Sequence, residues 1–151
     1  MEKLGFDVEH IVAFDYTKFS EHGSKYLKQA FTKEVASHQE KNSDISLAQG
    51  EARKYITTDI HNKRPATWKD IQNYISKGYL VVCNVNADKL SGKSGYTGYF
   101  IVYKISDTQI HFHNPGLPPK PKSVLSKKDF IPAWGHLSKQ YCELQALKLH
   151  I

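Results

Sequence analysis

Cysteine is scarce in this 151-residue chain, which carries only Cys83 and Cys142. Two thiols cannot build a disulfide framework or a four-thiolate metal site, and they suit a reducing compartment such as the cytoplasm. Long apolar runs are missing too. Nothing approaches the ~20 residues of a membrane-spanning helix, and the charged start Met1-Glu2-Lys3 precedes no signal-peptide core. Six prolines and nine glycines are too few for a collagen-like or low-complexity chain. Repeats and linker-like breaks are absent, which predicts a single domain over residues 1–151. At this length a domain can bury about 70% of its unfolded-chain surface, so a core needs no staples. A glycine-rich phosphate loop, a Gly-x-Ser-x-Gly elbow, a His-Glu-x-x-His pair and a Cys-x-x-Cys pair are all lacking, and no cofactor or metal is expected.

What is present begins with charge. Twenty-one basic against fifteen acidic residues give a formal net charge of +6, mixed along most of the chain. The uneven patch is Lys120, Lys122, Lys127 and Lys128, with no acid until Asp129. It reads as a solvated face first and as a phosphate-binding patch second. No arginine-rich helix or ladder of stacking rings accompanies it in sequence, so a nucleic-acid partner is not expected.

Apolar spacing supplies the elements. Val8 to Phe14 reads as a strand, followed by Asp15 as a cap. Leu27, Ala30, Phe31 and Val35 place one apolar stripe on a helix from Ser24 to about His38, and a second helix is predicted from Asp44 to Tyr55. Thr67 and Asp70 form a near capping box ahead of Ile71, Tyr74 and Ile75, and Gly78 sits where a left-handed stop is wanted. Tyr79 to Val85 is almost wholly apolar, as a central strand buried on both faces would be. Asp88 to Gly98 reads as a loop. After the prolines at 115–121, taken as a stiff turn and extended loop, Ser126 and Asp129 cap a short helix ending at Trp134; Tyr141 to Leu149 is a closing strand. The sum is α+β, with helices in the first half and a mostly antiparallel sheet in the second.

Tyr99 to Lys104 and Gln109 to Asn114 look like a hairpin. A four-residue turn at Ile105–Thr108 pairs Val102 with His111 and Phe100 with His113. It also gathers Ile101, Tyr103, Ile110 and Phe112 on one face and sets Tyr99 across from Asn114. His111 and His113 would share the polar face, a geometry zinc sites use, but no third ligand is placed by the sequence. Neither cysteine has a base and an orienting group nearby in sequence, as a catalytic thiol requires.

Gly95-Tyr96-Thr97-Gly98-Tyr99-Phe100-Ile101-Val102-Tyr103, followed by His111-Phe112-His113-Asn114-Pro115-Gly116-Leu117-Pro118-Pro119, resembles the bacteriocin-processing (double-glycine) cysteine peptidases of papain-like fold. The likeness covers roughly residues 65–135. It implies a papain-like fold with N-terminal helices packed on a mostly antiparallel sheet. In that family a Gly-His-Phe strand presents the catalytic histidine, and a later Asp-Pro presents the acid that orients it. Here the histidine position falls on Tyr99 and the aspartate position on Asn114. The family's nucleophile belongs on a helix preceding the segments seen here, and the chain starts at Met1 without one. An asparagine can orient a histidine, but a phenol with an ordinary pKa of about 10 is a poor base near neutrality.

The expectation is therefore an inactive peptidase-like domain that binds a peptide or protein partner, with Tyr99, Phe100, Asn114, Pro115 and Gly116 lining the groove. The alternatives are an active hydrolase using Cys83, Cys142 or an upstream cysteine, and a nucleic-acid binder on the lysine patch.

Overall fold

The computed structural model describes residues 5–86, 90, 97–116, 118–134 and 142–149. Most of the loop expected at 88–98 and Tyr141 of the closing strand lie outside them. The elements in chain order are β1 (Phe6–Val12), α1 (Tyr16–His22), α2 (Ser24–Ala30), α3 (Lys33–Asn42), α4 (Ile45–Tyr55), β2 (His61–Lys63), α5 (Trp68–Ser76), β3 (Leu80–Asn86), β4 (Thr97–Ile105), β5 (Gln109–Asn114), β6 (Lys120–Ser126), α6 (Lys127–Trp134) and β7 (Leu144–Leu149). The fold is α+β. The chain forms two compact units: residues 1–13 with 64–151, and residues 14–63.

In the first unit the strands lie in the order β1-β7-β3-β4-β5-β6, with antiparallel neighbours throughout. One face of this sheet carries the core. Ile11, Val81, Cys83, Val85, Phe100, Val102, Ile110, Phe112, Leu144 and Ala146 alternate inward from five strands and meet Ile71 of α5 and Phe130, Ala133 and Trp134 of α6. The α5 cap forms as the sequence predicts. Thr67 accepts from Asp70 N, the Asp70 carboxylate accepts from Thr67 N at 2.7 Å, and Gly78 closes the turn at φ 80°.

The hairpin departs from its expected register. Ser106 N donates to Gln109 O at 2.9 Å, so the turn is two residues long, and Ile105 pairs with Ile110. A bulge then falls between Val102 and Lys104, beyond which Val102 pairs with Phe112 and Ile101 with His113. The bulge lets Val102 and Ile105, an odd number of residues apart, both serve the core side. As a result Phe100 and Val102 are buried where Ile101 and Tyr103 were expected. β3 is central, but its residues alternate between buried and half-buried, so only one of its faces is packed. The proline stretch holds a strand, β6, whose register shift against β5 coincides with Lys122 at φ 52°.

The second unit is helical, with the short β2 at its end. The helix predicted from Ser24 to His38 breaks at Phe31, which is extended, and Thr32 caps α3 by accepting from Val35 N. Asp15 caps α1 through Lys18 N at 3.0 Å. Gly23, at φ 48°, is the joint between α1 and α2. Phe19, Leu27, Ala36 and Ala52 form the buried core, under a layer of aromatic rings centred on Phe14.

Candidate functional site

The sheet face opposite α5 and α6 has a chemistry that can be read row by row. Along it the register aligns Gln145, Val82, Ile101 and His113 on successive strands. One row further on, Asn84 of β3 pairs with Tyr99 of β4, and the same β3–β7 register brings Glu143, the residue before Leu144, beside Asn84. Three polar side chains from three neighbouring strands therefore stand in line. The Tyr99 hydroxyl and the Asn84 amide both donate to the Glu143 carboxylate.

Burial is the largest influence on Glu143 and pushes its carboxyl above the ordinary 4.5; the two hydrogen bonds pull the other way and only partly offset it. Tyr99 is raised above 10, first by burial and then by the nearby carboxylate, which accepts its proton in a hydrogen bond. Asn84 Oδ1 is buried and accepts no hydrogen bond. Tyr99 remains 52% exposed, and Leu80, Leu149 and Val124 are similarly open at 46%, 50% and 45%. All three lie on this same face by their pairing.

Asn114, placed opposite Tyr99 by the sequence, does something else. Its Oδ1 accepts from Gly116 N at 2.9 Å, which ties up the turn containing Pro115 and Gly116. Its β6 partner is Lys120, and extending the register from Ile101–His113 sets it across from Phe100 and not Tyr99. Phe100 lies in the core with its ring stacked on Phe112 at 4.5 Å. The five residues expected to line a groove are thus dispersed: Tyr99 on the open face, Phe100 beneath the sheet, and Asn114, Pro115 and Gly116 in a turn.

The cysteines are packed. Cys83 is completely buried on the core face, and that burial pushes its thiol far above the ordinary range. Cys142 is half-buried, and the two thiols are not in a disulfide. His111 and His113 share the open face, as alternation predicts. The Tyr103 ring stacks on His113 at 4.7 Å, and His113 Nδ1 accepts from Lys122 N at 3.1 Å. Among the described residues no group of three His, Cys, Asp or Glu could hold a metal ion. The lysine patch is divided between β6 and α6, and the Lys127 ammonium lies 4.7 Å over the Trp68 ring.

Glu143 and Asn84 are the residues that sequence reasoning missed. The available signal was weak: Asn84 interrupts the apolar run Leu80–Val85, and Glu143 directly precedes the alternating segment Leu144–Leu149. Their convergence on Tyr99 depends on the β7-β3-β4 order, which no local pattern encodes. No helix among the described residues is long and apolar enough to cross a membrane. Compared with family models and with curated proteins, the chain matches none.

Proposed function

We propose that this chain is a cysteine peptidase-like domain of papain-like type that does not cleave, and that it binds a peptide segment on the open face of its sheet around Tyr99. The observation carrying the proposal is the state of Tyr99. It stands where the resemblance calls for a general base, yet its hydroxyl already donates to a carboxylate and its pKa is raised further from neutrality. A thiolate is equally lacking at Cys83, since burial holds its proton in place. What remains is a half-exposed Tyr99 on a sheet face that also carries the exposed Leu80 and Leu149 further along its strands, a surface suited to an apolar or extended ligand. Two cysteines outside any disulfide fit a reducing, cytoplasmic setting.

Two measurements test this. Labelling the folded protein near pH 7 with a peptide-linked thiol electrophile should modify neither cysteine until unfolding. Fast, stoichiometric labelling of Cys83 or Cys142 in the folded state would restore the hydrolase alternative. Selection from a random peptide library on the wild type should yield sequences that the Tyr99→Ala variant no longer retains, with its melting curve nearly unchanged. No enrichment, or enrichment indifferent to Tyr99→Ala, removes the peptide-binding role.

A further inference from the structure

Glu143 presents a problem that the described residues of its unit do not solve. Its carboxyl group is taken partly out of water and, among the described residues, is met by two neutral donors, Tyr99 and Asn84. Among the described residues no lysine, arginine or histidine pairs with it, whereas Asp15, Glu40, Glu51 and Asp70 each have a basic partner. Removing a carboxylate from water is costly unless a cation or several hydrogen bonds replace the solvent. Beside it Asn84 offers a second acceptor, Oδ1, which takes no hydrogen bond. Tyr99 adds the third element, an aromatic residue about half open to solvent on the same row.

A carboxyl group, an amide oxygen and a half-exposed tyrosine together favour one chemistry. They favour a positively charged group carried on an apolar stem, which can lie over a ring and reach an acceptor. Resting on the peptide-binding role above, we infer that the bound segment anchors through a lysine or arginine side chain, its stem across Tyr99 and its charge at Glu143. The chain's net charge of +6 opposes long-range attraction of such a ligand. Selection must therefore act at contact, and it persists at physiological salt, unlike a lysine-patch contact with a polyanion.

The probes are acetylated pentapeptide amides, Ala-Ala-X-Ala-Ala, with X as arginine, lysine, citrulline or norleucine. They are titrated into the full chain and followed by NMR at near-neutral pH and physiological salt. Arginine and lysine peptides should bind about five- to tenfold more tightly than the two neutral ones, the scale of one charge-assisted hydrogen bond at a half-exposed site. Glu143→Gln retains the shape and should reduce that ratio to about one, by removing the charge that makes the bond charge-assisted. If all four peptides bind wild type equally, the cationic anchor is wrong while the peptide-binding role survives. If none shifts any open-face resonance, the peptide-binding role itself is overturned.

Discussion

In the first unit, apolar side chains from five strands alternate inward and meet two helices. In the second, Phe14 gathers the rings of Tyr16, Phe19, Tyr26 and Phe31 at centroid distances of 4.9 to 5.7 Å. A second ring cluster in that unit joins Tyr16, Tyr55 and His61. Its fully packed small residues are alanines, Ala36 and Ala52, which bury little surface of their own. The first core is set by a repeating period imposed by strand pairing. The second depends on a few rings brought in from different helices, so each ring matters more and the periodic signal is weaker. Both tryptophans, Trp68 and Trp134, belong to the first unit. Indole fluorescence therefore reports that unit, while hydrogen exchange over residues 14–63 reports the other.

The sharpest way to separate the two is to remove one ring from each. Phe130 is fully buried between α6 and the sheet, and Phe130→Ala should cost about 3–5 kcal/mol by lost transfer energy and a cavity. Phe19, 7% exposed beside Phe14, should cost a similar amount as Phe19→Ala, roughly 3–5 kcal/mol. The readouts should differ. Urea melts followed by indole fluorescence should move for Phe130→Ala, while exchange protection over 14–63 should fall first for Phe19→Ala. Equal changes in both signals for both variants would show that the two units unfold as one and that the contrast has no energetic content.

Backbone and cap positions give the next scale. An added Cβ at Gly23 would meet the Gln49 side chain at 2.9 Å, at a φ that L-residues rarely adopt. Gln49 itself donates to Ser20 O, alongside Arg53. Gly23→Ala should thus cost about 1–2 kcal/mol, read as faster exchange in α1 and α4. In the first unit Asp70→Ala removes both the capping box and the paired contacts from Arg64 at 2.7 and 2.8 Å. Its expected cost is also about 1–2 kcal/mol, since Arg64 is partly exposed and its ion pair is screened. An indole-detected midpoint unchanged by Asp70→Ala would mean that the cap contributes nothing beyond geometry.

These same residues show what local pattern could and could not convey. Thr67, Asp70 and Gly78 act within one helix, so spacing alone placed α5 and its ends. The apolar run along Tyr79–Val85 located β3, but its half-buried Val82 and Asn84 reflect a face left uncovered within this unit, which composition does not encode. The hairpin segments were legible and their register was not, because a bulge between Val102 and Lys104 changes the parity that binary patterning assumes. The candidate site failed in the same way. Tyr99 was singled out by resemblance, but its partners are Glu143, 44 positions later, and Asn84, and only the strand order joins them. In the second unit the break at Phe31 escaped notice because Leu27, Ala30, Phe31 and Val35 fit one helical stripe whether or not Thr32 restarts it.

Acid should separate the units by the smallest effect, and the two signs oppose. His61 Nε2 is buried without a hydrogen-bond partner, and its pKa is lowered from 6.5, first by burial and then by Lys63, with Asp15 acting against both. A histidine lowered in the folded state contributes its full stability above 6.5 and loses it as pH falls through the lowered value. Glu143 behaves in reverse. Its carboxyl lies above 4.5, so protonation relieves the cost of burying its charge, and the first unit gains as pH falls through that raised value. Asp70, held down to about 2 chiefly by Arg64, weakens the first unit only below its ordinary 3.8. Between about pH 6.5 and 4.5, exchange protection over residues 14–63, corrected for the intrinsic rate, should therefore fall while the indole-detected midpoint does not. His61→Phe should abolish that loss of protection, and Glu143→Gln should flatten the opposing trend in the first unit. If instead exchange and fluorescence change together in this window and His61→Phe leaves both unaltered, the acid response belongs to the whole chain and not to the histidine in the aromatic cluster.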